Sequence, residues 1–434
     1  MKRNRDHGIV RTVGLAFTLA ALASSAAWAQ TVLKVLHQGD PGWVATYEEV
    51  AKRFEAANPD VDVQLVFAPH DAYNERVSAA VSSGDMPDIM ELDAPFLANY
   101  VWSGLLRPLD GLVDPKLVAD LTSSGVSQGT YPIDGKLYAI GIFDSTVALY
   151  ANKSYLDKIG ARIPTSVADA WTRAEFEEIL EKLSKVEGVK WPIDLFRSYG
   201  IKSEWVTYGY EPLLVSAGCD VIDRKTWLSS GMLDGETCVD ALTMMQNWVS
   251  KGWVVPASSG TNQFFAEGKP AALAWGGNWI YAQAKPTLGD DLIALPLPNF
   301  GNGTKSPNGT WIWSVTQASK NPELAGKFLD FFMNDEGYRK FGSENGAFPG
   351  AKSFAAQSPL YAPGGPMALA YAQADGAAFP RPQHPAYPTI TNAFMDAVDA
   401  IFNGADVAKT LSKAAETIDA DIEDNGGYPP FGGQ

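Results

Sequence analysis

Residues 32–67 constrain the fold more than any other stretch of this 434-residue chain. The run VLKVL at 32–36 reads as a strand buried on both faces, and Tyr47, Val50, Ala51 and Phe54 then recur at helical spacing. Asn58-Pro59-Asp60 stops that helix, after which Val61, Val63, Leu65 and Phe67 alternate as a second strand. A short third strand is expected at 88–92, behind Pro87. A helix between two strands supplies the crossover that parallel pairing requires, so the expected class is α/β.

Helices are punctuated clearly farther along. Thr172 and Glu175 have capping-box spacing ahead of Phe176, Ile179, Leu180 and Leu183. Asn321-Pro322 opens a helix expected to bury Leu324, Phe328 and Phe331. Phe394, Val398 and Ile401 end at Gly404, and Leu411, Ala415, Ile418 and Ile422 follow the cap candidate Asp406. Between Gly342 and Pro388 a Gly-, Pro- and Ala-rich stretch shows little period, as expected of chain that crosses or borders two domains. No long internal repeat is evident.

The first residues combine Lys2, Arg3, Arg5 and Arg11 with an uncharged apolar stretch at 13–23 and the small-x-small site Ala27-Trp28-Ala29. This is the pattern of a signal peptide over residues 1–29. The apolar run is too short for an ordinary membrane helix, and no later one reaches the required length of about 18–20 residues. No cysteine lies near the cut, so a soluble periplasmic protein without a lipid anchor is expected. About 405 residues would remain, enough for two ordinary domains. The 50 acidic residues outnumber the 34 basic ones, for a formal charge of −16, which disfavours a nucleic-acid partner. Cys219 and Cys238 are the two cysteines. The run 220–235 reads as a hairpin-like excursion that brings its ends together, so a disulfide is expected in an oxidising compartment, with two separate buried thiols as the alternative.

Catalytic patterns are weak. Gly125-Val126-Ser127-Gln128-Gly129 matches G-x-S-x-G, yet residues 121–124 do not make a convincing strand for a nucleophile elbow, and the one downstream histidine, His384, sits among prolines. Beyond the leader only His37, His70 and His384 remain, without H-E-x-x-H or paired C-x-x-C spacing, so no metal site is expected. The Gly301–Ser306 segment lacks phosphate-loop spacing and reads as a loop between lobes. No cofactor is implied.

Aromatic residues are the positive signal: 13 Trp, 16 Tyr and 20 Phe, with many Trp in Gly-, Asn- and Pro-rich surroundings rather than helical stripes. A sugar needs flat rings for its C–H faces and carboxylates, amides or Arg for its hydroxyls. Trp275-Gly276-Gly277-Asn278-Trp279 supplies two indoles and an amide on a flexible backbone, although loop tryptophans also plug cores. Asp40, Asp93 and Asp144 each follow an apparent strand or lie just beyond one, where open α/β sheets place ligand groups, although any one of them taken alone reads more readily as a cap or a solvated loop residue.

In this order the residues resemble family 1 extracellular solute-binding proteins of the maltose-binding type, over essentially the whole mature chain. The resemblance rests on VLKVLHQGDPGW with EEVAKRFEAANPDVDVQLV, on GDMPDIMELDAPFLANYVWSGLLRPLD and on IDGKLYAIGIFDSTVALYANKSYLDKIG. It continues through FAEGKPAALAWGGNWIYAQ, LPLPNFGNG, NGTWIWSVTQASKNPELAGKFLDFF and RPQHPAYPTITNAF. Gly141 replaces a frequent proline, and Ala151 interrupts the usual Tyr-Asn pair.

The resemblance implies a two-lobed periplasmic binding fold with hinge strands crossing between lobes. One lobe would hold residues 31–142 and 312–358, the other 143–311 and 359–434. It implies ligand contacts from His37, Gln38, Asp40 and Asp93 in the first lobe and Asp144 just past the first crossing. The second lobe would add Trp205, Tyr208, the backbone of Gly277, Asn278, Trp279 and Arg381. The three acids would accept hydroxyl hydrogen bonds, Arg381 would donate, Trp279 would stack on a ring, and Trp205 and Tyr208 would flank a second ring or an aglycone. The expected role is that of a monomeric carrier without turnover, delivering a carbohydrate to the permease of an ABC importer. Alternatives are the same fold binding a polyol, a glycerol phosphodiester or an acidic sugar, and, remotely, a periplasmic glycoside hydrolase with paired carboxylates.

Overall fold

The computed structural model describes residues 30–39, 41–69, 73–200, 202–260, 262–344, 347–355 and 358–431. The expected signal peptide lies outside them. Strand β1 (Thr31–Gln38) runs into the helix Pro41–Ala57 and returns as β2 (Val61–Ala68), in parallel register from Thr31 beside Val61 to Gln38 beside Ala68. Strand β3 (Ile89–Asp93) pairs parallel with the other side of β1. Leu33 and Val35 are fully buried between the sheet and Tyr47, Val50, Ala51 and Phe54, the helical stripe legible in the sequence.

β4 (Ala139–Asp144) belongs to this sheet, and β5 (Val147–Asn152) to another. The second sheet continues with β6 (Trp191–Asp194), β7 (Ala271–Gly277) and β8 (Leu292–Leu295), in the order β6-β7-β5-β8. The chain then passes through β9 (Ser306–Pro307) to β10 (Trp311–Val315), which inserts antiparallel between β3 and β4 of the first sheet. β11 (Phe348–Pro349) completes the order β11-β4-β10-β3-β1-β2, and β12 (Ala378–Phe379) pairs with β9. Each large sheet has its own apolar core, giving two lobes.

The crossing segments are tied side by side. The Gly309 amide donates to the Ser145 carbonyl at 2.9 Å, and the Asn308 amide to the Phe379 carbonyl at 2.9 Å. The C-terminal end adds another tie: Trp102 Nε1 in the first lobe donates to the Pro429 carbonyl at 3.1 Å, and Tyr131 meets Phe431 edge to face at 5.6 Å.

The capping box at Thr172 and Glu175 is present, and so is the Asp406 cap, which accepts from the Lys409 amide. The helix Pro322–Asn334 departs from expectation, because its buried face is Ala325, Phe328, Leu329, Phe332 and Met333. Leu324 and Phe331 fall at the rim of that stripe, although Phe331 still meets Phe54 edge to face at 5.2 Å. Cys219 and Cys238 form a disulfide with Cα atoms 5.7 Å apart. It joins the chain just past the helix Trp205–Ala217 to the first turn of the helix Glu236–Ser250, and the run between them forms turns rather than a paired hairpin.

Candidate ligand-binding cleft

Strands β1 to β4 end at one edge of the first sheet, at Gln38, Ala68, Asp93 and Asp144, and the antiparallel β10 begins there with Trp311 opposite Asp93. This carboxyl edge is where open α/β sheets carry ligand groups. Asp93 precedes the short turn Ala94–Phe96 but makes no side-chain cap bond to it. Its carboxylate turns instead to Arg381 from beyond β12. Nη1 donates to Asp93 Oδ2 at 2.8 Å and Nη2 to Oδ1 at 2.5 Å, a bidentate pair. Nη1 also donates to Glu204 Oε1 at 2.7 Å. Arg381 is only 2% exposed, and its Nε is buried without a hydrogen-bond partner. Its two carboxylate neighbours push its pKa up against the opposing effect of burial.

From the second lobe, Gly276 and Gly277 end β7 and Trp279 opens the helix Trp279–Leu288. The half-buried indole stacks on Tyr208 at 6.2 Å and 21°, meets Trp205 edge to face at 6.1 Å, and donates from Nε1 to the Tyr199 hydroxyl at 3.3 Å. The Arg381 guanidinium lies 5.1 Å from the Tyr208 ring centroid, so the aromatic group and the charged bridge are continuous. Gly277 is required here by close approach, since a Cβ would stand 2.2 Å from the Trp279 ring.

Several expected ligand residues make contacts within the protein. His37 is fully buried among Tyr47, Phe67 and Trp313, with ring centroids 4.5, 5.6 and 4.6 Å away, and desolvation lowers its pKa. Its side chain points into the first core because strand alternation directs it there. Asp144 spends both oxygens on the crossing segments: Oδ1 accepts from the Ser145 amide at 2.8 Å and Thr310 Oγ1 at 2.9 Å, and Oδ2 from Asn308 Nδ2 at 3.3 Å. Burial raises its pKa, and those bonds oppose the rise. Asn278 is 1% exposed, and its Oδ1 accepts from the Thr146 amide at 3.2 Å.

Trp205 is 5% exposed, with Nε1 bound to the Leu195 carbonyl at 2.8 Å, and the Tyr208 hydroxyl shares a hydrogen bond with Ser145 Oγ at 2.8 Å. Both therefore stand behind Trp279 as its support. Gln38 has its backbone amide on Glu91 Oε2 at 2.8 Å and its own Oε1 buried without a partner. Asp40 lies outside the described residues.

The sequence reading missed Glu204, which accepts from Arg381, because an acid ahead of an apolar helix reads as an ordinary helix start, and it missed Tyr387 and Thr391, which donate to Glu204 in turn. It also missed half-buried Trp311 and the stack of Trp43 on Phe143, at 4.9 Å and 11°, on the first-lobe side. The tryptophan alternation in WIWSV was the available signal. Ser127 closes the short helix Ser123–Ser127 and donates to the Ser124 carbonyl at 3.2 Å, far from a strand-to-helix elbow.

Residues 49–368 match the family of bacterial extracellular solute-binding proteins. The chain belongs to that family. A putative binding protein of Brucella abortus (strain 2308) is 26% identical over 384 residues that cover 86% of this chain and 89% of that protein. The maltodextrin-binding protein MdxE of Bacillus subtilis (strain 168) is 26% identical over 315 residues, covering 70% and 69%. Among solved structures, a cycloalternan-bound ABC substrate-binding protein from Listeria monocytogenes superimposes with a TM-score of 0.75 at 20% identity, over 91% of this chain and 99% of its own. At that identity the likeness establishes the fold, a two-lobed solute-binding architecture.

Proposed function

We propose that this solute-binding protein captures a carbohydrate between its lobes in the periplasm and delivers it to the permease of an ABC importer. The observation that carries the reading is the meeting of Asp93 from one lobe with Arg381 from the other, beside the half-buried Trp279 ring. A ring face for sugar C–H groups next to a charged acceptor and donor is the chemistry a saccharide needs. Relatives named as maltodextrin-, maltotriose- and galactooligosaccharide-binding proteins support the same class. One arginine set against two carboxylates disfavours a strongly anionic ligand.

The lobes take residues 31–144 with 311–358 and 145–310 with 359–434, because β4 runs to Asp144 and β10 begins at Trp311 in the first sheet, which moves the boundaries expected at 142/143 and 311/312. Ligand touching both lobes shifts the hinge equilibrium toward closure, and the closed form is what the permease reads. The protein acts as a free monomer without covalent turnover. A micromolar site requires about −8 kcal/mol net, within reach of a few charge-assisted bonds and a stacked ring. A thermal-shift screen across mono-, di- and oligosaccharides tests the proposal. The correct sugar at a hundredfold excess over its dissociation constant adds about 2.7 kcal/mol of stability. A response to polyols or glycerol phosphodiesters alone would replace the carbohydrate assignment.

A further inference from the structure

Glu204 is a partly buried carboxylate that sugar recognition leaves unexplained. It precedes the helix Trp205–Ala217, but its side chain makes no cap bond. Oε1 accepts from Arg381 Nη1 at 2.7 Å and from the Tyr387 hydroxyl, while Oε2 accepts from Thr391 Oγ1 at 2.8 Å. The Thr391 hydroxyl in turn pairs with Thr207 Oγ1 at 2.7 Å. The carboxylate is therefore fixed by residues of the helix Tyr387–Phe402, whereas Arg381 rides on irregular chain between β12 and that helix. Beyond Glu204, the hydrogen bonds of the guanidinium go to Asp93 across the lobe boundary.

We propose that Glu204 is a positioning residue, holding Arg381 in the plane in which it meets Asp93, so that this bridge sets the distance between the lobes whatever solute enters. An arginine on irregular chain has many rotamers, and closing the lobes onto a free one would cost the entropy of ordering it. Anchored by Glu204, the fork is aligned before Asp93 arrives. Glu204 also leaves Arg381 paired when the lobes part, so opening does not strand a buried lone charge. The bridge thus forms and breaks as a two-state element inside the hinge motion.

The inference is tested without sugar, so failure of the carbohydrate reading leaves the outcome unaffected. Spin labels at Glu75→Cys and Lys185→Cys, exposed positions in the first and second lobes, report the interlobe distance distribution. Glu204→Ala should raise the ratio of separated to closed lobes about tenfold, equivalent to about 1.4 kcal/mol. Arg381→Ala should do at least as much, and Glu204→Ala in the Arg381→Ala background should add nothing further, because Glu204 acts through that guanidinium. Glu204→Gln, which keeps an acceptor oxygen, should recover part of the closed population. If Glu204→Ala fails to fold, Tyr387→Phe decides: it loosens one anchor and should shift the distribution in the same direction by a smaller factor. An unchanged distribution, or effects of Glu204→Ala and Arg381→Ala that add in full, would overturn the proposal.

Discussion

The two lobes meet the cleft with different materials. The first presents strand ends: Asp93 closes β3, and the register that places Trp311 beside it also fixes where its carboxylate points. The second presents a helix start and a loop, Trp279 and Arg381, which no ladder holds. They are fixed by neighbours instead, Tyr208 and Trp205 behind the indole and Glu204 behind the guanidinium. A strand-end group is positioned by backbone pairing, and a loop group only by the side chains packed behind it. Substitutions on the second side should therefore propagate through support residues, and those on the first should act locally.

The largest expected effect lies in the second lobe, which carries the disulfide. Reducing Cys219–Cys238, a bridge between residues 19 apart, should cost about 3 kcal/mol in the chain-entropy account. Hydrogen exchange should accelerate in the helices Trp205–Ala217 and Glu236–Ser250 before the first sheet, and uniform acceleration would show that the lobes unfold as one unit.

His37 sharpens the comparison from the other side. It lies on a strand that ends at the cleft, but its side chain fills the first core, so His37→Ala should lower stability by about 2–3 kcal/mol by opening a cavity. Sugar affinity of the folded variant should stay within about threefold of the parent. A large loss of affinity at unchanged stability would return His37 to the ligand site.

Trp279→Ala should do the reverse. Removing the half-buried ring should weaken sugar binding by about 1–3 kcal/mol with the ligand-free fold preserved, as measured by calorimetry and urea unfolding. If it instead cost about 3–5 kcal/mol of ligand-free stability, Trp279 would be a core plug. The smallest effect is expected from Ser127→Ala, which removes a local hydroxyl bond to Ser124 and should change neither affinity nor any ester or glycoside turnover.

Legibility in the sequence followed the same division. The α/β class, the stripe Tyr47, Val50, Ala51 and Phe54, the Thr172–Glu175 box and the Asp406 cap all rest on contacts close in sequence, and all are present. The disulfide was legible from the short loop between its cysteines and from the oxidising compartment that the signal-peptide pattern leads one to expect. The edge position of Asp93 was legible too, because the short strand expected at 88–92 behind Pro87 lies within one residue of the observed Ile89–Asp93. Which partner the carboxylate takes was not, since Arg381 is 288 residues away. Asp144 shows the limit of the strand-end argument. It ends β4 as expected, but lies where the chain changes lobes, and Thr310 and Asn308 take its oxygens. His37 shows a different limit: a polar residue near a strand's end still points by alternation, and here that direction is the core. Glu204 carried no local sign of its role, because the residues that fix it, Tyr387 and Thr391, come from a distant helix.

The central claim, a sugar held by both lobes at once, is tested most directly by titrating the sugar that responds in the thermal screen while following the radius of gyration by solution scattering. The parent should bind and contract together at one midpoint. Asp93→Asn and Trp279→Ala, one from each lobe, should each move that midpoint to higher sugar concentration by about tenfold. Binding that leaves the radius unchanged, or that ignores both substitutions, would contradict the account and place the sugar elsewhere on the protein.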